Sequence, residues 1–253
     1  MAEEIEIREV SDIAEFDECI KLQKQVFGLA DLEISPRRHL IVSRQAGGWT
    51  IGAFMQGKLV GFVHLLVAVR PNDEVIGYSH MMAVAPDYQN KGIGARLKWA
   101  QRERALSEGR SFIKWTWEPM RGRNAHFNLN RLGVIVEDYA ENFYGTDYGI
   151  NPNQMVAGPR GIDSDRIIAS WYLRSERVGA LASGVPPPSL GPPVGTVAIP
   201  SNWAAMLRDH PEKGRQEQLR VRENFKRFLA AGLVCAGFDR EAVCYLFFER
   251  GKL

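Results

Sequence analysis

Apolar positions recur first at the spacing of a helix. Ser11-Asp12 followed by Glu15 reads as a helix start, Ile13, Phe16, Ile20 and Phe27 return at helical intervals, and Gly28 closes the run. A second start at Ser35-Pro36, a serine N-cap before a proline at the first helical position, predicts a helix through Arg37-Arg38-His39-Leu40-Ile41 that Gly47-Gly48 ends. From Trp49 the period changes to two. Trp49–Met55 and Leu59–Val69 are β-branched and aromatic runs joined by Gln56-Gly57-Lys58, which predicts a hairpin. Glu74–Ala85 is a third strand stopped by Pro86. Gly92–Glu108 returns to helical spacing with Ile93, Leu97 and Ala100 on one face, and Gly109 ends it. Ser111–Glu118 is expected as strand, Asn124–Leu132 as a short helix ending at Gly133, and Val134–Tyr139 as strand. The result is a mixed α/β layer over about 140 residues.

Beyond Gly149 the pattern thins. Ile167–Leu173 reads as a strand, whereas Gly179–Gly195 holds four glycines and five prolines and is expected as an exposed connector. A short strand at Thr196–Ile199, a charged helix from about Glu212 to Ala231 and a strand at Ala242–Glu249 close the chain. That helix mixes Lys213, Arg215, Arg220, Arg222, Lys226 and Arg227 with Glu212, Glu217 and Glu223, the mark of a wetted face and not of a nucleic-acid patch. Its apolar members Leu219, Phe225, Phe228 and Leu229 call for a covering surface, either this chain's own sheet or a second copy.

Composition narrows the classes. With 32 Lys+Arg against 30 Asp+Glu in 253 residues there is no global field for a polyanion, so nucleic acid is not an expected partner. Three cysteines without a CxxC pair predict neither disulfide framework nor metal site, and fit a reducing cytoplasm. The acidic start Glu3-Glu4-Ile5-Glu6 is unlike an export signal. The longest uncharged run, Val178 to Leu207, contains six prolines and is not a membrane helix, so no membrane partner is expected.

Chemistry concentrates in Met81-Met82-Ala83-Val84-Ala85-Pro86-Asp87-Tyr88-Gln89-Asn90-Lys91-Gly92-Ile93-Gly94-Ala95. A strand ends, the chain turns, and two glycines open a helix whose N-terminus carries about half a positive charge. Glycine there lets a phosphate approach the backbone, although the same pair also suits a plain tight turn. The dinucleotide fingerprint would need a glycine where Leu97 stands, and a Walker loop would need Gly-Lys-Ser/Thr.

Gln89-Asn90-Lys91-Gly92-Ile93-Gly94 resembles the Gln/Arg-x-x-Gly-x-Gly/Ala signature of the GCN5-related N-acetyltransferases, and the predicted element order over roughly residues 5–145 is similar to theirs. The stretch from Arg123 to Gly133 resembles an uncharacterised bacterial branch with a C-terminal extension. The resemblance implies the acyl-CoA N-acyltransferase fold: a mixed, mostly antiparallel central sheet flanked by helices, here with a C-terminal α/β extension. It divides the chain into a catalytic core at 1–150, a strand plus connector at 151–195 and an extension at 196–253. Acetyl-CoA or another acyl-CoA would be co-substrate, its pyrophosphate on Gln89, Asn90, Lys91, Gly92, Ile93, Gly94 and Ala95 and its pantetheine arm on Met82, Ala83 and Val84, with Asn124 a further cofactor contact.

The resemblance also assigns acid–base work. An acceptor ammonium near pKa 10 must lose a proton, and each unit down to pH 7 costs about 1.4 kcal/mol. His80, placed by the two-residue period on one face with Tyr78 and Met82, is a candidate base, or else a packed core histidine; Glu118 is a second candidate. The family's usual tyrosine acid, four residues before the glycine that ends the short helix, falls on Leu129, a departure that leaves Tyr139 or Tyr144 as substitutes or the thiolate leaving unaided. Trp115, Trp117, Arg121 and Arg123 stand where an acceptor carboxylate or a dicarboxylic acyl group could be read. The expected function is N-acyl transfer to a small amine or amino acid by direct attack, with no metal. The alternative is a CoA-binding regulatory or degenerate module, and a homodimer through the extension is a third expectation.

Overall fold

The computed structural model describes residues 4–146 and 162–253, which form two compact units, one up to Ile113 and the other from Lys114. The first begins with a strand that the pattern missed, β1 (Ile5–Glu9), five residues whose alternation is too short to register. Helix α1 (Ile13–Phe27) follows; the Asp12 carboxylate accepts from the Glu15 N–H at 2.8 Å while Glu15 accepts from the Ser11 N–H at 2.9 Å, a reciprocal cap. Gly28, at φ 62°, ends it. Helix α2 (Arg37–Gln45) starts on Pro36 with no side-chain cap, so Ser35 is not the N-cap expected of it; its hydroxyl goes elsewhere, as described below.

Strands β2 (Trp49–Met55), β3 (Lys58–Val69) and β4 (Val75–Val84) complete an antiparallel sheet in the order β1-β2-β3-β4. Gln56 and Gly57 both have positive φ, 50° and 77°, which is the two-residue hairpin geometry that suits strand twist. Helix α3 (Ile93–Ser107) lies against β2, β3 and β4. A core joins Phe16, Cys19 and Leu22 of α1 and Leu40 of α2 to Phe54, Leu59, Phe62 and Ala83.

The second unit holds most of β5 (Phe112–Trp117), then α4 (Gly122–Ala125) running into a π-helical turn at His126–Arg131, β6 (Ile135–Ala140), β7 (Arg166–Tyr172), α5 (Glu176–Ala182), β8 (Gly195–Ala198), α6 (Trp203–Asp209), α7 (Pro211–Ala230), β9 (Leu233–Asp239) and β10 (Cys244–Glu249). Its sheet runs β5-β7-β6-β9-β10-β8, with β6/β7, β6/β9, β9/β10 and β10/β8 antiparallel. Both units thus follow the mixed α/β, mostly antiparallel plan with helices against the sheet. Three elements of the second unit lie outside the expected pattern. Helix α5 occupies the start of the expected connector because Ser175 caps it through the Val178 N–H and the prolines begin only at Pro186. Helix α6 and strand β9 were hidden among uncharged runs with no clear period.

Helix α7 buries Val221 and Phe225 against this chain's own β6, β8 and β9, and the Phe225 ring meets Tyr139, Tyr245 and Phe247. Leu219, counted among its apolar members, stays 44% exposed. No helix among the described residues is long and apolar enough to cross a membrane.

Candidate active site

A β-bulge interrupts β4 where the chemistry was expected. Met81 pairs with His64 and Ser79 with Leu65, so His80 between them has no partner on β3. The extra residue breaks the period-two reading that put Tyr78, His80 and Met82 on one face: Met81 and Ala83 pack on the α1 side, where His80 also points, and Met82 falls opposite. Past the bulge Met82, Ala83 and Val84 pair with Val63, Phe62 and Gly61. Gln89 folds back so that its side-chain N–H donates to the Val84 carbonyl at 2.9 Å, tying the loop to the strand end.

The loop then turns through two left-handed residues, Asn90 at φ 62° and Gly92 at φ 80°. Gly92 is the N-cap of α3 and supplies no side chain to it, so the N–H groups of Ile93, Gly94 and Ala95 face outward for an external acceptor. No atom lies within 4 Å of where a Gly92 Cβ would stand. Lys91, exposed, lies over the Tyr88 ring at 5.2 Å. Open space, uncapped amides and a helix N-terminus leave these N–H groups accessible to an outside acceptor.

Around His80 the structure gathers residues that sequence spacing could not. Ser35 Oγ lies 3.1 Å from His80 Nε2, and the His39 and His64 rings stand edge-on at centroid distances of 5.5 and 6.2 Å. His64, fully buried, is held by Ser43 at 3.1 Å and Thr50 at 2.8 Å. Burial, reinforced by the two neighbouring imidazoles, pushes its pKa down to about 3, so it is neutral. His80 is more open, yet desolvation and His39 also lower its pKa. His39 Nε2 is buried with no hydrogen-bond partner. One signal could have exposed this cluster: His64 sits inside an otherwise apolar, buried strand and so demanded polar company.

In the second unit the expected residues are engaged among themselves. Glu118 accepts from Trp203 Nε1 at 2.7 Å through one oxygen and from Arg121 Nε at 2.8 Å through the other. Trp117 Nε1 donates to Tyr245 Oη at 3.3 Å, and Trp115 packs edge-on against Trp171. Leu129 is fully buried, and its carbonyl accepts from Arg177 at 3.0 Å. Tyr139 donates to Asp165 at 2.6 Å, with burial raising its pKa. Tyr144 lies in a turn beyond β6 and is exposed, with its hydroxyl 3.5 Å from Thr116 Oγ1. Asn124 and Arg123 are exposed on α4. No group of three or more His, Cys, Asp or Glu among the described residues is arranged to hold a metal ion.

The family model "Acetyltransferase (GNAT) family" matches residues 15–130, a span that includes the bulge, the glycine loop and α3. Residues 15–130 are a GNAT acetyltransferase domain. Solved structures agree in fold. The ribosomal-protein-S18-alanine N-acetyltransferase of Escherichia coli is 14% identical with a TM-score of 0.51, over 68% of this chain and 96% of that one. A GNAT-family acetyltransferase from Streptococcus pneumoniae is 19% identical at 0.50, over 66% and 98%. A GNAT-family protein from Desulfovibrio desulfuricans is 16% identical at 0.52, over 67% and 99%. No curated protein matches the sequence significantly. The GNAT family uses acetyl-CoA, and the open, uncapped amides at Gly92 fit its pyrophosphate.

Proposed function

We propose that the GNAT domain moves an acetyl or other short acyl group from acyl-CoA to the amine of a small molecule or amino acid, by direct attack while both substrates are bound. The amides of Gln89, Asn90, Lys91, Gly92, Ile93, Gly94 and Ala95 hold the pyrophosphate, Met82, Ala83 and Val84 take the pantetheine arm, and Asn124 is a further cofactor contact. Much of the acceleration comes from this positioning. His80 removes the proton from the acceptor ammonium. The observation that carries this role is its place on the bulge, outside the β3 ladder, with an imidazole whose lowered pKa keeps it neutral and able to accept a proton at pH 7. Glu118, with both oxygens already occupied, serves as a fixed point for Trp203 and Arg121, while the exposed Tyr144 hydroxyl is the candidate donor to the leaving thiolate.

Thiol release from acetyl-CoA and succinyl-CoA across a panel of amines and amino acids tests this. His80→Ala should lower turnover about tenfold or more, and unchanged turnover would reassign His80 to packing. A second reading, a CoA-binding module without turnover, is favoured by the fully buried Leu129 at the position where the family resemblance expects a tyrosine; tight CoA binding with no thiol release from any acceptor would establish it. The extension at 196–253 as a dimer contact in a cytoplasmic enzyme is tested by sedimentation of the full chain, where a monomer at all concentrations removes that part.

A further inference from the structure

We infer that a cavity beside His80 seats an acceptor that carries a carboxylate as well as its amine, an apolar amino acid, and that Arg38 holds the carboxylate. The inference deepens the reading above, in which His80 takes the acceptor's proton, and rests on it for the place of the amine. An opening of about 530 Å³ lies between α2 and β3, lined by Pro36, Arg38, His39, Val42, Ser43 and Leu66. That volume falls within the roughly 300–1,000 Å³ of small-molecule sites.

Helical spacing builds the wall. Arg38 and Val42, like His39 and Ser43, stand four residues apart on α2, so each pair stacks on the side of the helix that lines the cavity. Leu66 faces them from β3. His39 belongs to both places: it lines the cavity, and its ring stands edge-on to His80 at 5.5 Å. Its Nε2 is buried without a hydrogen-bond partner, and buried polar atoms are rarely left so outside functional sites.

Charge narrows the ligand. The other cations of α2 are engaged, since Arg37 donates to both Asp17 oxygens at 2.9 Å and Arg44 donates to the Ser11 carbonyl at 3.0 Å. Arg38 is exposed and makes no hydrogen bond or ion pair among the described residues, and the cavity lining holds no acid. A guanidinium with its donors free matches a carboxylate through two parallel bonds. Beside it Val42, 58% exposed, and Leu66 offer apolar surface that an apolar side chain of the acceptor would cover. With the carboxylate on Arg38, the amine lies along His39 toward His80.

The test titrates the full-length protein by calorimetry, with and without saturating CoA, using leucine, valine, methionine, phenylalanine and their carboxamides. At least one amino acid should bind, and its carboxamide should bind about tenfold more weakly or worse. Arg38→Gln should weaken the amino acid about tenfold or more and leave the amide within about twofold. Because Arg38 holds no partner in the fold, the melting temperature and CoA affinity should be unchanged. In turnover, followed as thiol release from acetyl-CoA, the variant should raise KM for the amino acid and leave kcat within about threefold, the split expected of a group that holds the acceptor away from its reacting amine. Binding by none of the amino acids, amides that bind as well or better, or a variant that weakens both alike overturns the inference. Arg38-dependent binding without thiol release sinks the transfer reading and leaves the carboxylate site standing; thiol release to amines lacking a carboxylate, indifferent to Arg38, does the reverse.

Discussion

Gln23 and Ser35 are joined twice, the buried side-chain amide of α1 meeting both the N–H and the C=O of the residue that leads into α2. A side chain here does what a neighbouring strand would do, satisfying two backbone groups in a place where regular structure supplies no partner. Gln23→Leu keeps the volume and removes both bonds. The expected loss is about 2–4 kcal/mol of unfolding free energy, from two backbone groups left unpaired, measured by urea denaturation. A loss under about 0.5 kcal/mol would mean that water replaces the amide without penalty.

His64 makes the fold acid-sensitive. Its folded pKa, pushed down to about 3, lies below the ordinary imidazole value of 6.5, so between these two values the unfolded chain binds the proton and the folded chain does not. Stability contributed by this group is therefore complete above about pH 6.5 and falls as the pH drops toward 3, by at most about 1.4 kcal/mol per unit. Urea midpoints taken from pH 7 to pH 4 should show the decline, and His64→Gln should flatten it. A variant with the wild-type slope would place the sensitivity elsewhere.

What could be read in advance depended on how local the signal was. The hairpin at Trp49–Val69 was legible because alternation and Gln56-Gly57 are contiguous, and the glycine turn into α3 because its residues are consecutive from Gln89 to Ala95. Ser35 was misread for the converse reason: the local Ser-Pro pattern favours a cap, whereas the competing partner, His80, is 45 residues away. The bulge left no trace because no residue type marks it, and it reversed the face of every residue placed by alternation beyond it. Strand β9 was missed because a short, continuously buried run has no period to detect.

Gly92 is the position at which the turn into α3 tolerates least change. Its φ of 80° is reached at little cost only without a Cβ, while no atom lies near enough to clash with one. Gly92→Ala is thus a strain experiment and not a steric one. It should cost about 1–2 kcal/mol of stability or else shift the loop, and in either case weaken CoA binding measured by calorimetry. Native CoA affinity with native stability would show that the left-handed turn is dispensable.

Glu118 and His80 are separated by their hydrogen bonds. Glu118→Gln keeps an oxygen for the Trp203 N–H and loses only the exposed Arg121 pair, worth about 0–1 kcal/mol at the surface. Turnover with a working amine should therefore stay within about threefold of wild type, against the tenfold or greater loss expected for His80→Ala. A loss of similar size at Glu118 would make the carboxylate, and not the imidazole, the stronger candidate for the base.

Asn130 repeats in the second unit what Gln23 does in the first. From the π-helical turn its side chain donates to the Phe238 carbonyl at 3.1 Å and accepts from the Phe238 N–H at 3.0 Å, so the turn is fastened to β9. Asn130→Ala removes both bonds and should cost about 2–4 kcal/mol. Asn130→Asp is the sharper variant: its carboxylate still accepts from the Phe238 N–H but faces the Phe238 carbonyl without a hydrogen between them, so it should be no better tolerated than alanine. Trp171 reports on the same turn, since its indole N–H donates to the Leu132 carbonyl at 2.8 Å. Its fluorescence should shift in both variants if β9 fixes the turn. Loss of stability without a change at Trp171 would instead confine the effect to β9.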